Sequence, residues 1–272
     1  MDVKIFVCFH KKDHFVGGEG YIPIQLGKVS SYVDLGYIGD DTGNNISDKN
    51  PWYCELTAMY WIWKNSLDAD YLGLFHYRRF LDFHPSFITK FRDYLHVDKD
   101  YLFSHAKIDK DLIAKYDVIL PNKQKLHIPI YDALCRAHVR DDVKILAKVV
   151  EELYPDFKSD YDEVVMNGNT YTPFNILISK RKIFADYSLW LFNILFEFEK
   201  RLTIPADPYQ PRLFGFYSER LLNVYFHHYR NKYKIGYLPP MLFDENKNLN
   251  ILVFKIRNKL RDLCSFLYKK TR

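Results

Sequence analysis

His76, Tyr77, Arg78 and Arg79 follow directly on an apolar run, Tyr71-Leu72-Gly73-Leu74-Phe75. The run reads as a buried strand, so the four polar residues would stand at its C-terminal end. Open α/β sheets hold their ligands at such ends. Arg carries a planar fork of donors that fits phosphate or carboxylate oxygens. Two adjacent guanidiniums there point to an anion site, against the plainer reading of a strand ending in solvated charge. His10 and Lys11 follow a second apolar run, residues 3–9, and are candidates for the same pocket.

Other groups could serve a reaction on a phosphorylated donor. Asp68-Ala69-Asp70 satisfies the D-x-D pattern by which many nucleotide-sugar transferases hold a divalent metal. It lies before the strand, where such a motif should follow it, so both carboxylates read as surface loop residues. Arg or Lys clamps can neutralise the charge developing on a leaving diphosphate, as Mg²⁺ does. The sequence therefore indicates no required cofactor and no metal ligands, and leaves use of Mn²⁺ or Mg²⁺ open. Asp40 and Asp41 could accept hydrogen bonds from a ribose or base, or simply shape the turn at residues 39–45. Glu55, inside an apolar helix, reads as a structural partner for a nearby cation. HExxH, GxGxxG, P-loop and GxSxG patterns are absent.

The elements that must position these residues follow from periodicity. Residues 3–9 form a first strand, and a glycine-rich loop occupies 16–50. Asn50-Pro51 opens a helix, with Asn as cap and Pro at the first helical position. Its Trp52, Leu56, Met59 and Trp63 recur at helical spacing and so face a core. The 71–75 strand comes next, then a short strand at 117–121 and a helix at 131–153 carrying His138 and Asp142 on one face. A strand at 174–179 contains Asn175. Helices are expected over 183–202 and over 218–230, the latter capped by Ser218 and opening at Glu219. Strand–helix–strand order with glycine-rich loops predicts a mostly parallel α/β sheet flanked by helices.

The 272 residues include 48% hydrophobic and 27% charged types, an ordinary globular composition that allows a large core. The aromatic share of 17% fits either a stacking cleft or a core. Four scattered cysteines form no CxxC pair, which favours a reducing, cytosolic setting over a disulfide framework. The opening residues do not read as a signal peptide, and no apolar stretch approaches the roughly 20 residues of a membrane span. Charge is uneven. Residues 249–272 hold seven basic side chains and one acidic one, so +6 of the net +5 sits in this tail and the rest of the chain is at −1. Apolar residues interleave with these charges, the pattern of an amphipathic segment on an anionic membrane surface, or of a C-terminal helix docked on its own domain. A nucleic-acid partner is disfavoured because the body lacks a basic groove. The division expected is one domain over 1–245 and a membrane-associating tail over 246–272.

Several blocks carry a resemblance. They are His10-Lys11, Asn45-Ile46-Ser47-x-Lys49-Asn50, Cys54-Glu55-Leu56-Thr57-Ala58-x-Tyr60-Trp61-x-Trp63-Lys64-Asn65 and Gly73-Leu74-x-His76-Tyr77-Arg78-Arg79. To these add His138-x-x-x-Asp142, Asn175, Tyr187-x-x-Trp190-Leu191-Phe192 and Arg212-x-x-Gly215-Phe216-x-Ser218-Glu219-Arg220-Leu221. Over residues 3–230 the chain resembles a bacterial family of capsular and exopolysaccharide-biosynthesis glycosyltransferases, long catalogued as a domain of unknown function. The resemblance implies a GT-A-like fold and transfer of a sugar from a nucleotide diphosphate to a growing glycan. Some members are assigned as galactofuranosyltransferases that use a UDP-sugar and invert the anomeric centre. The family's Asn-Met-Phe-Ile strand here reads Asn175-Ile176-Leu177-Ile178, which puts the sugar specificity in doubt.

The roles expected from this reading are as follows. His10, Lys11, His76, Tyr77, Arg78, Arg79 and Asp41 would bind the donor and its diphosphate. His138 and Asn175 would contact acceptor or sugar. Glu219 would be the general base that an inverting transfer needs, with Asp142 the second candidate. The partners expected are a nucleotide-sugar donor, a lipid-linked glycan and an anionic membrane, with the protein peripheral on the inner face of the cell membrane. A non-catalytic nucleotide-sugar or glycan-binding module is the alternative, and a metal-dependent nucleotidyltransferase a second one.

Overall fold

The computed structural model describes residues 1–13, 17–137, 140–202 and 212–243. The strands are β1 (Val3–Phe9), β2 (Tyr21–Gln25), β3 (Ile38–Gly39), β4 (Tyr71–His76), β5 (Arg79–Leu81), β6 (Leu95–Val97), β7 (Val118–Pro121), β8 (Gln124–Lys125), β9 (Thr170–Tyr171), β10 (Leu177–Lys180), β11 (Ile235–Leu238) and β12 (Pro240–Phe243). The helices are α1 (Asn50–Tyr53), α2 (Leu56–Asn65), α3 (Lys99–His105), α4 (Lys110–Ile113), α5 (Ile130–Ala137), α6 (Arg140–Leu153), α7 (Lys158–Tyr161), α8 (Arg181–Arg201) and α9 (Leu213–His228).

The main sheet runs β11-β7-β10-β4-β1-β2-β3. Every neighbouring pair is parallel except those made by β10, which lies antiparallel between β4 and β7. This is the mostly parallel α/β sheet expected. Its central strands are apolar almost throughout because both faces are covered. Along β1, Phe6 and Cys8 enter one core, while Val3, Ile5, Val7 and Phe9 enter the other. Gly73 of β4 is squeezed between neighbours: a Cβ there would lie 3.0 Å from Ile5 and 3.1 Å from Ile178. A smaller sheet branches off, in which β12 pairs antiparallel with β5 and parallel with β6.

The aromatic residues belong mainly to the core. Trp63 stacks on Phe192 with planes 2° apart, joining α2 to α8, and Tyr53 stacks on Phe214 at 4.4 Å, joining α1 to α9. Phe157, Tyr187, Trp190 and Tyr225 form a further cluster.

Four sequence expectations change. The helix expected from residue 50 is two, broken at Cys54, whose φ of 52° is left-handed. The break shifts the helical phase, so Trp52 is 38% exposed and not core-facing. Asn50 does not cap; its Nδ2 donates forward to the Cys54 carbonyl and the Thr57 hydroxyl, bridging the break. The last helix starts at Leu213, and Ser218 is a buried interior residue donating to the Gly215 carbonyl at 2.8 Å. Asn175 lies before β10, not within it. The tail over 246–272 lies outside the described residues.

Candidate active site

β1 and β4 run parallel with Cys8 opposite His76, so the residues that follow them emerge side by side. The His10 and Tyr77 rings meet edge to face at 5.2 Å. Because β10 is antiparallel, its leading residues Phe174 and Asn175 arrive at the same end of the sheet. The Arg212 amide donates to the Pro51 carbonyl, which docks the start of α9 on α1 there as well. These segments enclose a cleft of about 490 Å³ lined by Cys8, His10, Leu26, Asn50, Pro51, Cys54, Glu55, His76, Tyr77, Arg78, Arg79 and Arg212.

Backbone strain converges on this cleft. Among the described residues the non-glycine positions with positive φ are Cys54, Phe174, Asn175 and Arg212. Cys54 and Arg212 line the cleft, and Phe174 and Asn175 hold residues that do. Such conformations cost of order 1–3 kcal/mol each and persist only where surrounding structure enforces them.

The floor of the cleft is a buried polar network. Glu55 is 5% exposed, and its Oε1 accepts from Asn175 Nδ2 at 2.6 Å. Asn175, fully buried, also donates to the Gly215 carbonyl at 2.9 Å. Burial raises the Glu55 pKa, against the Asn175 hydrogen bond that lowers it. His76 Nε2 lies 3.1 Å from the Phe174 carbonyl and 3.9 Å from Glu55 Oε1. Burial, with the Arg79 charge next in size, pulls its pKa down to about 3. The imidazole is therefore neutral, its Nε2–H donates to the carbonyl, and its approach to Glu55 is no ion pair.

The walls are cationic. The Arg79 guanidinium sits 4.7 Å over the Phe174 ring, largely buried, and burial lowers its pKa while Glu55 and Glu219 act to raise it. Arg78 is held by Asp13 through Nε at 3.0 Å and a second nitrogen at 2.9 Å. Its charge is thus partly spoken for. The His10 pKa is lowered by burial and by the nearby Lys11, Arg212 and Arg78 charges. Cys54 is pushed up to about 12, mainly by burial, and Cys8 is raised by burial too, so both are thiols at neutral pH rather than nucleophiles.

Glu219 stands in the second turn of α9, not at its start. Its side chain bonds Arg220 at 2.8 Å, and its pKa is raised by burial above all, with Glu55 adding to the rise. Its charge acts on Cys54, Arg79 and Arg212, all lining residues. Asp142 sits in the first turn of α6, where its charge is felt by Tyr217. It does not line the cleft, and nor do Glu219 and Asp41, which are half-buried, or Lys11, which is exposed. His138 lies outside the described residues. Asp40 is wholly buried and accepts from the Gly27 and Lys28 amides and the Ser47 and Thr57 hydroxyls, so it fastens the loop to α2 and has no access to a ligand. Asp68 pairs with Lys4, and Asp70 accepts from the Asp2 amide, both at the far end of β1 and β4. No group of three or more His, Cys, Asp or Glu among the described residues is placed to share a metal ion.

Two contributors escaped the sequence reading. Glu55 reads from its helix as a structural ion-pair partner, yet it floors the cleft. Arg212 was visible only as the opening residue of the Arg212-x-x-Gly215-Phe216 block.

A family model described as a domain of unknown function, DUF4422, matches residues 4–232. The chain belongs to this family. Among solved structures, the apo form of the bifunctional glycosyltransferase WbbM is similar, with a TM-score of 0.81 and 30% identity over 90% of this chain. The present chain spans 46% of that protein's length. No curated protein matches. The chain thus has a glycosyltransferase-like fold, and the cleft at its strand ends is built by Glu55, Arg79 and Arg212.

Proposed function

We propose that this DUF4422 protein is a glycosyltransferase that moves a sugar from a nucleotide diphosphate donor, with UDP the first choice, to a lipid-linked glycan. The observation that carries this reading is the convergence of Arg79, Arg212, Arg78 and His10 on one cleft whose floor is a buried carboxyl. A leaving diphosphate needs its growing charge met by preorganised cations, and a partly dehydrated cleft strengthens that attraction. Arg79 is already oriented by Phe174, so little ordering cost remains when the phosphate binds. The likeness to a glycosyltransferase supports the reaction class.

Glu219 acts as the base in this reading. Its raised pKa favours taking a proton from an acceptor hydroxyl, and inverting transfer passes through no covalent intermediate. Glu55 is a positioning residue, tying α2 to Asn175 and the β10 turn. Galactofuranose is the sugar suggested by the family resemblance, and a capsule or exopolysaccharide chain the product. The basic tail would hold the enzyme at the inner membrane face, where such an acceptor is anchored.

A thermal-shift panel of UDP-, GDP- and dTDP-sugars, with and without Mn²⁺, tests the donor class. A ligand that binds only the folded state raises the midpoint by mass action. A rise with UDP-sugars supports the reading, and no rise with any nucleotide sugar refutes it. Turnover that survives EDTA would count against a nucleotidyltransferase.

A further inference from the structure

The segment between β5 and β6 carries a group of large apolar side chains that no described residue covers. Phe87 is 86% exposed, Ile88 73% and Phe91 73%. The segment is nonetheless built. The Ser86 hydroxyl accepts from the Thr89 amide, and the Lys90 amide bonds the Ser86 carbonyl, making a capped helical turn. That turn puts Phe87 and Phe91 four residues apart on one side, their rings 6.3 Å apart. Asn122, just after β7, donates to both the Lys90 and Arg92 carbonyls at 2.8 Å and pins the turn from behind.

Chemistry and position point to the occupant. Lys90 and Arg92 are exposed among these apolar residues and outnumber the one exposed acid beside them, Asp93; a net basic rim around inserted aromatics suits an anionic lipid headgroup layer. Asn122 holds the turn at the C-terminal end of β7, the end of the sheet at which the cleft opens. The residues entering the basic tail follow β12, which pairs with both strands flanking the segment, and the Phe243 amide bonds the Arg78 carbonyl beside the cleft. Exposed patches of this kind on a soluble domain mark interaction sites.

We propose that the turn over residues 86–92 is a membrane-docking element, in which Phe87, Ile88 and Phe91 enter the headgroup region of an anionic bilayer and turn the cleft toward it. The proposal rests on the glycosyltransferase reading only for why the cleft should face lipid; docking itself is independent of turnover. Two contacts with the bilayer, this turn and the tail, give the stable attachment that one alone does not.

The test is co-sedimentation of the full chain with vesicles of equal parts phosphatidylglycerol and phosphatidylcholine, comparing wild type with the triple variant Phe87→Ser, Ile88→Ser, Phe91→Ser. The expected result is a loss of vesicle binding of at least about tenfold, with an unaltered thermal midpoint and an unaltered midpoint rise with UDP. A second variant, Lys90→Gln with Arg92→Gln, should weaken binding less and only on the anionic vesicles. Wild-type vesicle binding by the folded triple variant overturns the proposal. So does a change in oligomeric state with no change in vesicle binding, which would assign the patch to a second copy of the chain. Failure of UDP to raise the wild-type midpoint would overturn the donor reading and leave vesicle docking standing.

Discussion

Two cavities of this protein invite comparison. The larger, about 690 Å³, lies where β2 begins, lined by Gly17, Gly18, Tyr21 and residues 106–111. The smaller, about 490 Å³, lies at the other ends of the parallel strands. In the larger one, the Tyr21 hydroxyl donates to the Ala106 carbonyl at 2.6 Å and, of its several charged groups, Lys110 and Glu19 pair with each other in solvent. The smaller one holds a buried carboxyl, a neutral buried imidazole, a half-paired arginine and strained backbone on both sides. On the proposed function the reactive site is the smaller cleft, marked not by volume but by buried polar and ionisable groups, whose burial costs folding free energy.

The strongest way to break this contrast is at Glu219. Glu219→Gln keeps the shape and removes the proposed base, so turnover should fall by roughly 10²–10⁴-fold while UDP still raises the thermal midpoint. A pH profile sharpens the point. Because burial raises the Glu219 pKa, the acid limb of turnover should lie above the range of an ordinary exposed glutamate, about 4.3. The stability effect has the opposite sense: a raised carboxyl pKa contributes stability at low pH that is lost as pH rises through the folded value. Glu219→Gln should therefore melt no lower than wild type at neutral pH, and a clearly lower midpoint would mean that its carboxylate is a structural ion-pair member.

Asn175→Ala comes next in size. It strips the buried Glu55 of its donor and places a Cβ-only side chain at φ 52°. Chemical denaturation should show a loss of roughly 1–3 kcal/mol from the orphaned carboxyl alone. His76 gives a smaller, pH-dependent effect. Its folded pKa, about 3, lies below the ordinary 6.5. The stability from burying it neutral is present above 6.5 and drains away as pH falls toward 3. His76→Gln should flatten the fall in thermal midpoint over that window. The smallest effect belongs to the larger cavity: Lys110→Ala should leave both the thermal midpoint and turnover essentially unchanged. Loss of turnover there would erase the contrast between the two cavities.

Local sequence made part of this legible. The Tyr71–Phe75 run read correctly as a strand that brings His76 and Arg79 to the cleft, because an apolar run and the charge that follows it are local properties. Glu55 and Arg212 were not legible in their roles. Each acquires its place only when α1, α9 and the β10 turn meet, and the left-handed break at Cys54 that aims Glu55 has no glycine to announce it. Asp40 and Asp41 show the reverse: the turn signal left both open to a donor contact or a turn role, and four donors consume Asp40 inside the fold. Asn175 was found for its type, but its position before β10 and its hold on Glu55 depend on an antiparallel strand that the strand–helix–strand rhythm does not reveal.

The central claim is that Arg79 and Arg212 hold a nucleotide diphosphate in the smaller cleft. Calorimetric titration of UDP into wild type, Arg79→Lys and Arg212→Ala, each first shown to melt like wild type, tests it most directly. The account expects saturable binding by wild type and a loss of roughly 10–100-fold in each variant, the scale of a charge-assisted contact of 1.5–3 kcal/mol. Undiminished UDP affinity in both variants would contradict it.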